Sequence, residues 1–113
     1  MGQEASIIHN PEAHVSVVRH FLLWVESSRA MSLLKSERTY DNDEQLPGLL
    51  KRFRDAYEHA IRAYQDVNSR TCTIQENRNA YFAVKEADDI AIQIDQRYQV
   101  YLSQQVNCIL YDR

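Results

Sequence analysis

The stretch Phe53-Arg54-Asp55-Ala56-Tyr57-Glu58-His59 gathers an arginine, a carboxylate and an imidazole within two turns of any helix that contains it. Such a group is either a site or the wet side of a helix. With Phe53 at the centre of an apolar face, and about 100° per residue, Asp55 and His59 both point well away from that face. They sit i, i+4 from each other, and Arg54 stands in the same relation to Glu58. Two such pairs on a solvated face stabilise a helix by about 0.2–0.5 kcal/mol each, and that account covers every residue of the stretch.

Other residues with chemical potential form no pattern. His14 and His20 are six apart, and no Glu-x-x-His occurs, so the di-iron bundle pattern is absent. His9, His14 and His20 read as surface or half-buried residues. Cys72 and Cys108 have no second cysteine or histidine at zinc-ligand spacing. On one continuous helix their 36-residue separation spans roughly 54 Å, far beyond disulfide reach. We expect no metal, no cofactor and a reduced, cytoplasmic protein. Met1-Gly2, with Ser6, fits an N-myristoylation pattern. No basic cluster or nearby cysteine supplies the second signal that stable anchoring needs. Membrane contact is therefore expected only if Gly2 is acylated.

The bulk composition narrows the class. The chain has 113 residues, 44% hydrophobic and 26% charged, which suggests one globular domain over 1–113, with 1–9 flexible. A net charge of −3 argues against a general polyanion binder, so no DNA is expected. The longest apolar run, Phe21 to Val25, is far short of the ~20 residues that cross a bilayer.

Glycine and proline are confined to Gly2, Pro11, Pro47 and Gly48, and the apolar period is helical throughout. Asn10-Pro11-Glu12 reads as the start of a helix over about 11–35, with Val15, Val18, Leu22 and Val25 as its stripe. The run 21–25 is apolar on every side, so that helix is either central or shared with another chain. Residues 36–45 form a polar loop. Pro47 opens a second helix over about 46–68, striped by Leu46, Leu50, Phe53, Tyr57, Ala60/Ile61, Tyr64 and Val67. Thr73 and Glu76 have capping-box spacing at the start of a third helix over about 74–110. Val84, Ala87, Ala91, Ile94, Tyr98, Tyr101 and Gln105 trace a heptad-like seam along it. A helix that long either breaks, near 76–80, or projects beyond the bundle with a seam that needs a partner.

The helix "LLKRFRDAYEHAIRAY" resembles the motif helix of the HEPN family, all-α domains that often act as ribonucleases. Their motif is an arginine, usually followed by a polar residue, with a histidine four to six residues beyond. Arg54, Asp55 and His59 match it, and the resemblance is confined to this helix. It implies a metal-independent ribonuclease with a composite site across a dimer. His59 would be general acid/base, Arg54 would hold the phosphate, and Asp55 would orient its neighbours. The match lies in the second of three helices, earlier than the family places it.

The expected architecture is an all-α small bundle of three long helices, four if the C-terminal one breaks. The C-terminal helix is expected in an oligomer interface, as a homodimer or with another protein. The leading expectation for function is a non-enzymatic protein–protein interaction or oligomerisation module, with the ribonuclease as alternative. RNA is a ligand only under that alternative. The expected interface is Leu22, Trp24, Val25, Ile94, Tyr98, Tyr101 and Leu102, the large apolar and aromatic groups in excess of one small core.

Overall fold

The computed structural model describes residues 11–40, 43–69 and 72–111. Among them the chain is all α: α1 (Pro11–Glu26), α2 (Arg29–Ser36), α3 (Leu46–Ser69) and α4 (Ile74–Tyr111). The N-terminal residues 1–10, with Gly2 and the Asn10 cap, lie outside the described residues, as do the side chains of His14 and Cys108.

The small all-α bundle is as expected, but its fourth helix arises elsewhere. The span 11–35 is two helices, and the chain breaks at Ser27-Ser28. Ser27 Oγ donates to the Trp24 carbonyl at 3.0 Å, and Ser28 Oγ donates to the Val25 carbonyl at 2.6 Å. Ser28 has extended backbone and its Oγ accepts the Met31 amide, which makes it the N-cap of α2. Serine hydroxyls compete for backbone groups, and two in succession offer the chain a cap in place of another helical turn. The C-terminal helix does not break. Its start is held by the expected capping box: Glu76 N donates to Thr73 Oγ1, and Thr73 N donates to Glu76 Oε1, both at 3.1 Å. Residues 76–80 therefore fall in its first turns, and the Asn77 amide already donates to the Thr73 carbonyl at 3.1 Å.

α4 is the spine. Its 38 residues rise about 57 Å, most of the molecule's 69 Å length. It packs against all three other helices, most extensively against α3. Ala80, Ala83, Ala87 and Ala91 are buried along it, interleaved with Val84, Ile90 and Ile94. Those alanines let the facing helices approach closely. α1 buries its expected stripe, and α3 buries Leu46, Leu50, Phe53, Ala60 and Val67 with Tyr57, Ile61 and Tyr64 at its margins. Cys72 is buried in the same core. From Leu102 to Val106 the spine has left the bundle, and Gln105 alone is half-buried there.

Candidate functional site

The motif residues lie on the outward side of α3. Arg54, Asp55, Glu58 and His59 are all exposed. Neither expected i, i+4 pair closes among the described residues. Instead Arg54 Nε lies 3.8 Å from Asp55 Oδ1, a loose pair between two half-exposed side chains. Arg54 opens onto a groove between α2 and α3. Asp55 and His59 line a separate cleft against α4, with Arg52, Glu86 and Ile90. The cause is angular: five residues along a helix turn the side chain by about 140°. Among the described residues, then, Arg54 and His59 line different grooves. Among the described residues no three His, Cys, Asp or Glu side chains come together as a metal site, and no helix is long and apolar enough to cross a membrane.

The seven expected interface residues fall into three groups. Leu22, Val25 and Ile94 are buried within the chain's own core and have no surface to offer. Tyr98 and Tyr101 are half-buried against Tyr40, with ring centroids 6.2 and 5.4 Å away in edge contacts. Arg29 lies over the Tyr98 ring at 5.8 Å and pairs with Asp95 at 3.3 Å, which fastens the start of α2 to α4. Only Trp24 and Leu102 are exposed.

Trp24 belongs to a ridge that the sequence did not disclose. Its ring meets Phe21 at 5.5 Å, Phe21 meets Tyr81 at 5.4 Å, and Tyr81 meets Phe82 at 5.7 Å. Phe21 and Tyr81 are half-buried, so the ridge rests on the core where α1 lies against α4. Its crests stand in solvent: Trp24 is 65% exposed and Phe82 58%. Val17, also exposed, continues the same stripe of α1 at i, i+4, i+7 with Phe21 and Trp24. Leu102 is twenty residues along α4 from Phe82, about 30 Å away, and belongs to the projecting end instead.

A buried ion pair also escaped the sequence. Asp43, in the loop before α3, has a fully buried side chain. Its Oδ1 accepts the amides of Gln45 and Leu46 at 2.9 and 2.8 Å, which starts α3. Arg97 of α4 grips both oxygens through Nε, at 3.1 and 2.8 Å, and its Nη2 lies 2.8 Å from Oδ2. The hydrogen bond from Arg97 holds the Asp43 carboxyl below the usual carboxylate range, against the opposing effect of burial. An aspartate three residues before a helix is a readable cap. Its partner, 54 residues away, is not.

Compared with known proteins, the chain matches no family model, no curated protein and no solved structure.

Proposed function

We propose that this chain is a non-enzymatic helical interaction module that self-associates through the ridge of Trp24 and Phe82. The exposed aromatic ridge is the observation that carries this reading. Two large rings standing mostly in water, braced from beneath by two more, form a preformed surface that loses little side-chain entropy on docking. Aromatic clusters of this kind anchor protein interfaces, and exposed apolar patches mark them. A second copy of the chain is the occupant to which we commit. The same patch on two subunits closes a two-fold dimer without further surface. The seam of α4 beyond the bundle, with exposed Leu102 and Val106, offers such an assembly further apolar surface.

The test is sedimentation velocity on wild type and on Trp24→Glu with Phe82→Glu. Wild type is expected to be dimeric at micromolar concentration, and the double variant monomeric with unchanged helical circular dichroism. A wild type that stays monomeric across the accessible concentration range overturns self-association. The ribonuclease alternative ranks second because Arg54 and His59 open onto different grooves of α3.

A further inference from the structure

The groove that receives Arg54 has a chemistry of its own. It lies between the end of α2 and the start of α3 and encloses about 550 Å³, within the range of small-molecule sites. Pro47, Leu50, Lys51 and Arg54 form its α3 wall, and their spacing places them on one helical stripe. Leu33 and Leu34 of α2 complete an apolar floor. Three cations, Arg38, Lys51 and Arg54, face it against one carboxylate, Glu37, on a chain whose net charge is −3. Neither Arg38 nor Lys51 has an ion-pair partner among the described residues, and Arg54 has only its loose contact to Asp55. Tyr40 is also part of the wall. It is 2% exposed, and its hydroxyl is buried without a hydrogen-bond partner.

An apolar floor beneath a cationic rim selects one class of ligand. From this arrangement we infer that the groove binds a small amphiphilic anion, with its tail on Leu33, Leu34 and Leu50 and its oxyanion head held by Arg38, Lys51 and Arg54. Arginine grips carboxylate and phosphate heads alike through paired donors, so the shared chemistry is an oxyanion on an apolar tail. This site is independent of the Trp24–Phe82 ridge and uses none of its residues.

The experiment is calorimetric titration of the full chain with decanoate, decyl phosphate, decanol and inorganic phosphate at low salt. One equivalent of decanoate or decyl phosphate is expected to bind, and the stronger of the two identifies the head group. Decanol and inorganic phosphate are expected to bind about tenfold more weakly or worse, since each lacks one half of the recognition. Arg38→Gln with Lys51→Gln should weaken the anion about tenfold or more, while both exposed positions leave the fold intact. The control, Arg52→Gln with Arg62→Gln, makes the same change in charge outside the groove and should leave affinity unchanged. Equal loss in both double variants would mean that overall charge alone attracts the anion, and overturns the proposal. So does equal binding of decanol and decanoate, or no saturable binding of either anion.

Discussion

Removing the Asp43 carboxylate tests the packing logic most directly, because one side chain there both starts α3 and ties it to α4. Asp43→Ala deletes an N-cap, at a cost of about 1 kcal/mol. It also strands Arg97. Breaking a fully buried pair costs about 3–5 kcal/mol, but the Arg97 side chain keeps 25% of its surface in solvent, so about 1–2 kcal/mol is the reasonable share. The total is roughly 2–3 kcal/mol, or about 8–12 °C in Tm for a domain of this size. Asp43→Asn keeps an oxygen able to cap and loses the charge, so about 1–2 kcal/mol is expected. The assay is urea unfolding followed by circular dichroism, run as a double-mutant cycle with Arg97→Gln. A coupling of about 1–2 kcal/mol should emerge. The pH dependence has a definite sign. Because the folded carboxyl titrates below its unfolded value of about 3.9, its stabilisation is present above that value and lost as pH falls through the folded one. The gap between wild type and Asp43→Asn should therefore be constant near neutrality and shrink below about pH 4. Additive single effects, or an Asn variant as stable as wild type, would refute the reasoning.

Three further outcomes are expected. Tyr57 donates to Glu26 at 2.9 Å, and burial followed by that carboxylate raises its hydroxyl to about 12. In an alkaline absorbance titration Tyr57 should ionise late, and Tyr57→Phe should remove that late step. Its stabilisation is fully present below the unfolded value of about 10 and is lost as pH rises through the folded one. Tyr40→Phe removes an unpartnered buried hydroxyl, so it should leave urea stability unchanged or raise it by about 1 kcal/mol. A loss of similar size would mean that the hydroxyl is bonded. Under the proposed function, wild type, Arg54→Ala and His59→Ala should all fail to cleave RNA without added metal. Cleavage by wild type that is lost in both variants, with folding and oligomeric state unchanged, would make residues 53–59 a ribonuclease site instead.

The sequence by itself determined what depends on near neighbours. Helical period, the stripes of α1 and α3, the start at Pro47 and the Thr73–Glu76 capping box all rest on interactions within a few residues. The break at Ser27-Ser28 is equally local, and the paired serines were its available signal. Tertiary structure decided the rest. The α1 stripe already marks Leu22 and Val25, but the run 21–25 is apolar on every side, so only packing against α4 leaves Phe21 half-buried and Leu23 and Trp24 in water. The Trp24–Phe82 ridge exists because Phe21 meets Tyr81 across two helices remote in the chain. Asp43 reads as loop or cap until Arg97 reaches it from α4. Arg54 and His59 stand about 140° apart on any helix, and the bundle decides which groove lies beside each. Short-range periodicity specifies which residues form helices and roughly which faces are apolar. The pairing of those faces, and hence which aromatic or charged group remains in solvent, depends on contacts between residues far apart in the chain.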